Sequence, residues 1–228
     1  TSGFNLTDEE VQLTKRFCGA VAVSWYRRPY TLQAINKFIE AECKTNIHYV
    51  LGNDSIDEAI RRLEDGTFPK GVNAVIFLLH KPVGCGREEN VLRPDNPKVK
   101  KFFEVVDECK FHHKIGFDSC TVPGLINYTM KVNRESFDTC EGGRHSAYIT
   151  PDMKMLPCSF DNQSSHWAVD LNNHTVLEAW KSDEFERFRN HFRWSCPECS
   201  NKNICKGGCP IVPQIGLCSR KERTYKFI

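Results

Sequence analysis

The segment Cys196-Pro-Glu-Cys199-Ser-Asn-Lys-Asn-Ile-Cys205-Lys-Gly-Gly-Cys209 reads C-x2-C-x5-C-x3-C, with Cys218 beyond it and Cys140 and Cys158 upstream. Cys120 is a possible eighth member of this set. A thiolate is a soft ligand for zinc or for iron–sulfur clusters, and four close either kind of site. Seven or eight are too many for one site and suit two. The chemistry of this chain is expected to run through iron or zinc held by these sulfurs.

The chain has 228 residues, 40% hydrophobic and 26% charged, which is the make-up of an ordinary globular protein of one or two domains. A net charge of +2 gives no reason to expect nucleic acid as a partner. The basic run Arg220, Lys221, Arg223 and Lys226 reads as a solvated tail. No stretch approaches the roughly 18 apolar residues of a membrane span. The start at Thr1 points to a fragment or a processed product, and no secretory leader is visible. Twelve cysteines raise disulfides as a rival to metal. Disulfide-dense chains are usually small and poor in regular structure, whereas these cysteines fall in the tight spacing of metal sites. A reducing cytoplasm is the expected compartment.

The first 120 residues alternate helix and strand. Thr7-x-x-Glu10 is a capping box for a helix carrying Val11, Thr14 and Phe17. The run 20–25 has strand character, and Leu32, Ile35, Phe38 and Ile39 have helical spacing. Residues 46–51 are strand-like, and Ser55-x-x-Glu58 caps a helix bearing Ile56, Ala59, Ile60 and Leu63. Residues 72–79 form the most apolar strand, Asn96-Pro97 opens a helix with Val99, Phe102, Phe103 and Val106, and 114–118 is one more short strand. Continuous apolar strands alternating with amphipathic helices imply a parallel sheet covered by helices. About three strand–helix units are too few to close a barrel, so the sheet is open or incomplete.

Ligands of such sheets sit at the carboxyl ends of the strands. Ser24 with Trp25 and Arg27, His48 or Gly52 with Asn53, and the loop 80–86 fall there, the last rich enough in glycine to approach a polar ligand such as an adenosyl group. Cys85 reads as an ordinary loop thiol, and Cys18, Cys43 and Cys109 as small core residues.

From about Cys120 the texture changes to short strands, turns and cysteines. Residues 148–150 and 155–158 read as a hairpin that brings Cys140 and Cys158 together. Thr175-x-x-Glu178 caps a helix bearing Leu177, Trp180, Phe185, Phe188 and Phe192. Gly207-Gly208 permits a tight turn whose N–H groups could face sulfur.

The run from Cys140-Glu-Gly-Gly-Arg through Met-Leu-Pro-Cys158-Ser-Phe, then Glu178-Ala-Trp-Lys-Ser and the five-cysteine segment, resembles a SPASM domain over roughly residues 118–220. That domain is the C-terminal extension of radical S-adenosylmethionine (SAM) enzymes that modify peptides, and it holds two auxiliary 4Fe–4S clusters. Residues 1–118 similarly resemble the second half of the radical SAM barrel, with Thr1-Ser-Gly-Phe4 as the end of its third strand. The resemblance implies an α/β chain: a partial (β/α) barrel over 1–118, last strands only, followed by a small cysteine-rich α+β SPASM domain over 119–228. It implies a distal cluster on Cys196, Cys199, Cys205 and Cys218, and a proximal one on Cys140, Cys158 and Cys209. The fourth proximal ligand is either Cys120 or an open iron position. Ser24 corresponds to the polar strand-end residue that contacts the SAM ribose.

Three departures stand out. The C-x3-C-x2-C loop that binds the SAM-cleaving cluster is missing from this sequence, so SAM and a third cluster are implied only with an N-terminal half. The aspartate base that follows the Cys158 equivalent in anaerobic sulfatase maturases is Ser159 here, which leaves Asp161 and Asp118 as base candidates. The usual hairpin glycine is also replaced, by Asp152-Met153-Lys154, so a different turn is expected. The implied function is the C-terminal portion of an oxidoreductase acting on a peptide or protein, its auxiliary clusters taking and relaying an electron, with a ferredoxin or flavodoxin as reductant. The alternatives are a non-catalytic iron–sulfur module that binds a leader peptide or partner, and a structural zinc protein.

Overall fold

The computed structural model describes residues 1–108, 114–161, 166–191 and 196–218. Cys109, Phe192 and the basic residues at 220, 221, 223 and 226 lie outside the described residues.

Helix α1 (Asp8–Phe17) opens with the full Thr7–Glu10 capping box. Strand β1 (Val21–Ser24), helix α2 (Pro29–Glu40), strand β2 (Thr45–Leu51), helix α3 (Ile56–Asp65), strand β3 (Ala74–Leu79), helix α4 (Pro97–Glu108) and strand β4 (Lys114–Phe117) follow in turn. The strands are parallel and lie in chain order, β1-β2-β3-β4. When strand order follows chain order, crossovers of the usual right hand place every helix on the same side, as in a barrel. Val23, Ile47, Tyr49, Leu51, Val75, Phe77 and Leu79 are accordingly buried in one core with Ile35, Phe38, Ile60, Phe102 and Phe103.

The opposite face differs from the expected continuous burial. Ser24, Asn46, His48, Ile76, Leu78 and Gly116 are half-buried and Val50 is exposed, so the strands alternate. The apolar character of Ile76 and Leu78 made the strands read as buried on both sides. Beyond β1, the Thr1 amino group donates to the Ala22 carbonyl at 2.9 Å and the Ser24 amide to the Thr1 carbonyl at 2.9 Å, continuing the sheet as a neighbouring strand would.

Some side chains fall elsewhere than periodicity suggested. Phe17 and Leu32 are exposed, because Val11 and Thr31–Ala34–Ile35–Phe38 carry the inward stripes. Cys18 is exposed at the end of α1, whereas Cys43 packs on the core. Ser55 starts α3 without a cap bond, since its hydroxyl is engaged with the Gly52 amide (2.8 Å) and the Val50 carbonyl (2.9 Å).

After β4 come α5 (Val122–Tyr128) and a small antiparallel sheet of β5 (Tyr148–Ile149), β6 (Lys154–Leu156) and β7 (Val169–Asp170), the last unforeseen. The expected single helix after Thr175 is two, α6 (Val176–Trp180) and α7 (Asp183–Asn190). Ser182 divides them by accepting from the Phe185 amide as a new N-cap. Met155, Val169, Ala179 and Phe185 form a second, smaller core. The hairpin turn is made with Met153 at φ 60°, a left-handed conformation that glycine usually supplies. The described residues end with α8 (Lys202–Cys205) and a stretch in which Val212, Ile215 and Leu217 return to the first core.

Candidate metal centre

A cleft of about 380 Å³ opens at the carboxyl ends of β3 and β4, where they meet the small sheet. Cys120 enters it from the turn after β4, Cys140 from the loop before β5, and Cys158 from the end of β6. Cys209 lies behind them, electrostatically in reach of Cys120, Cys140 and Cys158. Four thiols that are up to 89 residues apart in sequence therefore meet at one place. Burial raises the thiols of Cys120 and Cys158 and pushes Cys209 up to about 11. Such thiols give up their protons when a metal binds, so binding would release protons.

Backbone donors face the sulfurs. The Val212 amide donates to Cys209 Sγ at 3.3 Å, and the Ile211 amide and the Phe160 amide lower the thiols of Cys209 and Cys158 in the same way. As the glycines suggested, Gly207 and Gly208, at φ 79° and 86°, turn the chain, and the amides that face the sulfur are those just after Cys209. Arg144 donates to the carbonyls of Cys140 and Gly142, and Arg189 to that of Gly143 at 2.7 Å, which ties the Cys140 loop to α7. Soft sulfur donors, amides aimed at them and shelter from water fit a thiolate-held iron–sulfur group.

Sequence reasoning missed Lys81. Its ammonium lies 2.8 Å from Asp118 Oδ2 and 3.0 Å from the Leu79 carbonyl, over the Phe160 ring at 4.8 Å, with 8% of the side chain exposed. Burial would lower its pKa, but Cys120 and Asp118 outweigh that and raise it. Asp118 also accepts from the Leu79 amide at 3.1 Å, while its Oδ1 is buried without a hydrogen bond. Burial pushes this carboxyl up against the pull of Lys81. The position of Lys81, two residues past β3, is the signal that could have found it.

Asp161 is 2% exposed, with its amide on the Cys158 carbonyl, and Cys158, Ser159 and Phe160 line the cleft from that segment. Ser24 ends β1 at the far edge of the sheet. Three strand spacings of about 4.8 Å put it roughly 14 Å from the β4 end. The other strand-end groups are engaged within the fold. Trp25 and Arg27 bind Glu58, Asn53 holds the Glu89 and Val91 carbonyls at 2.8 Å, and His80 Nε2 meets the Arg87 carbonyl at 2.9 Å. Gly86 packs its α-carbon against the Lys81 carbonyl, where a side chain would come within 2.0 Å, so that loop needs its glycine for itself.

Of the remaining cysteines, Cys196 and Cys199 share one turn, with the Cys199 amide on the Cys196 carbonyl at 2.9 Å. Cys205 ends α8, which packs on that turn, and Cys218 follows the fully buried Leu217. Among the described residues no three His, Cys, Asp or Glu groups are drawn together as tightly as a single metal ion requires.

Residues 140–209 match the SPASM family, an iron–sulfur cluster-binding domain. No curated protein matches the chain. Among solved structures it is similar to native anSMEcpe with bound AdoMet, at 13% identity and a TM-score of 0.59 over 97% of this chain and 66% of that one. The same protein with bound AdoMet and Kp18Cys peptide gives 13% identity and 0.58, over 97% and 67%. SuiB of Streptococcus suis gives 17% identity and 0.62, over 99% of this chain and 57% of that one. The chain thus spans about two thirds or less of the length of these proteins, and at such identities the likeness is one of fold. Residues 140–209 of this chain thus match a SPASM iron–sulfur cluster-binding domain, and the chain as a whole shares the fold of these solved structures.

Proposed function

We propose that this chain is the C-terminal portion of a radical SAM/SPASM oxidoreductase that modifies a peptide or protein. The observation that carries this reading is a cleft on the carboxyl end of the parallel sheet lined by Cys120, Cys140 and Cys158, with Cys209 in electrostatic reach of all three. In this reading those four hold a proximal 4Fe–4S cluster, and Cys196, Cys199, Cys205 and Cys218 a distal one. Bound clusters of this kind supply one-electron transfer, at a potential set by charge, hydrogen bonds and solvent.

The chain's own residues prepare the cleft for such a substrate. Asp118, oriented by Lys81 and the Leu79 amide, lines the cleft and is a better-placed base candidate than Asp161. Tyr148 and Ser159, both exposed, line the same cleft and would contact a peptide there. Ser24 would hold the SAM ribose at the other end of the open face. The domain division near residue 118, a cytoplasmic location and a ferredoxin or flavodoxin reductant belong to this reading.

The second reading is a non-catalytic iron–sulfur module that binds a leader peptide or partner, which the thiols of residues 120–218 would serve without the C-x3-C-x2-C motif. Anaerobic purification, metal analysis and a visible spectrum test the cluster assignment. About eight irons per chain with a broad brown absorbance are expected for two 4Fe–4S clusters. Zinc without colour overturns it. The gene upstream of Thr1 separates enzyme from module: an in-frame strand carrying C-x3-C-x2-C supports the enzyme.

A further inference from the structure

Lysine is seldom buried unless it is paired, and Lys81 is buried beside a carboxylate and four thiols. Its ammonium has three N–H donors. Two are directed to Asp118 Oδ2 and the Leu79 carbonyl. Cys120 and Cys209 lie within reach of its charge. The Phe160 ring, two residues after Cys158, lies 4.8 Å from the ammonium. Across the site, the other cation near these sulfurs is Arg144, whose guanidinium sits by Cys140 and is directed to the carbonyls of Cys140 and Gly142. Lys81 is thus a buried positive charge on the sheet side of the thiol quartet, and Asp118 a negative charge that partly offsets it.

We infer that Lys81 is a positioning residue that sets the charge balance of the proximal cluster, holding its reduction potential up, with Asp118 as an opposing trim. The inference rests on the ligand reading above. Four thiolates around a cluster leave net negative charge, and each added electron increases it. A fixed cation near the cluster stabilises the reduced state, and a fixed anion destabilises it. At an effective dielectric of about 20, a unit charge at roughly 10 Å changes the reduced-to-oxidised ratio by about tenfold or more. A merely structural ion pair would predict loss of stability for either substitution, and no opposite effects on potential.

The test is a dithionite titration, one electron per cluster, followed by visible absorbance and electron paramagnetic resonance on the anaerobically purified protein with its own iron. Lys81→Met is expected to keep the iron content and move one midpoint to more negative potential. The reduced-to-oxidised ratio at the wild-type midpoint then falls about tenfold, and the second cluster is unmoved. Asp118→Asn is expected to move the same midpoint the other way, and it carries the test alone if Lys81→Met fails to fold. Lys81→Arg is expected to restore the wild-type value. Unchanged midpoints, or shifts of one sign in both variants, overturn the lysine assignment while the cluster reading stands. Wild-type protein without an iron–sulfur spectrum overturns both.

Discussion

Glu58 accepts from Trp25 Nε1 at 3.1 Å and Arg62 Nε at 2.7 Å, and pairs with Arg27. Burial opposes its ionisation, but the donors of Arg27, Arg62 and Trp25 outweigh it and hold the carboxyl down to about 2. A depressed carboxyl contributes stability above its unfolded pKa, near 4.5, and loses it as the pH falls toward 2. Glu58→Gln is therefore expected to flatten the fall in melting temperature between about pH 4.5 and 2, measured by circular dichroism. An unchanged slope in that window would rule this network out as an acid-labile support. Met153 offers a second case. Its left-handed backbone costs a non-glycine residue about 1 kcal/mol, so Met153→Gly is expected to raise stability by up to that amount in chemical denaturation. The sequence showed a missing glycine there; it could not show that the chain keeps the glycine-like conformation regardless. Ser55 and Glu58 likewise looked like a capping pair, and tertiary partners on β2 and at the end of β1 claimed both side chains instead.

At the scale of elements, local signals located most helices and strands within a few residues, because capping and apolar periodicity are properties of neighbours in sequence. They failed where two helices abut. The stripe of Leu177, Trp180, Phe185 and Phe188 suits one helix, yet Ser182 caps a second and Leu177 is left exposed. Ser182→Ala is expected to cost about 1 kcal/mol and to loosen α7 first, seen as faster amide exchange from residue 185 onward. Helix α5 carries a different constraint. A side chain at Gly124 would come within 2.5 Å of the Phe103 ring and 3.0 Å of Leu217. Gly124→Ala is thus expected to destabilise by about 1–3 kcal/mol through overpacking, although alanine is the better helix former. Retained or improved stability would mean that the C-terminal stretch does not seat against α4 and α5 as described. The hairpin of β5 and β6 was legible from alternation; β7, two residues long, is too short to leave a period.

For the whole molecule, the chain's last described stretch returns Val212, Ile215 and Leu217 to the core of the parallel sheet. The cysteine-rich part is consequently fastened to the sheet, and Cys209 reaches the proximal thiols on that return path. Replacing Cys158 or Cys199 by alanine is expected to remove about half of the iron each, and Cys85→Ala none, by metal analysis. Iron loss in the Cys85 variant, whose thiol is exposed on the loop after β3, would show the proposed ligand set to be wrong. The sequence by itself determined the order of helices and strands, the identity of the thiols and the SPASM likeness, because each resides in spacing along the chain. Tertiary structure alone decided that the helices cover one face of the sheet, that Cys120 lines one cleft with Cys140 and Cys158, and that the paired Lys81 and Asp118 stand beside them with little side-chain exposure. The physical reason is that burial and charge environment depend on which distant segments come into contact, and no local periodicity records that.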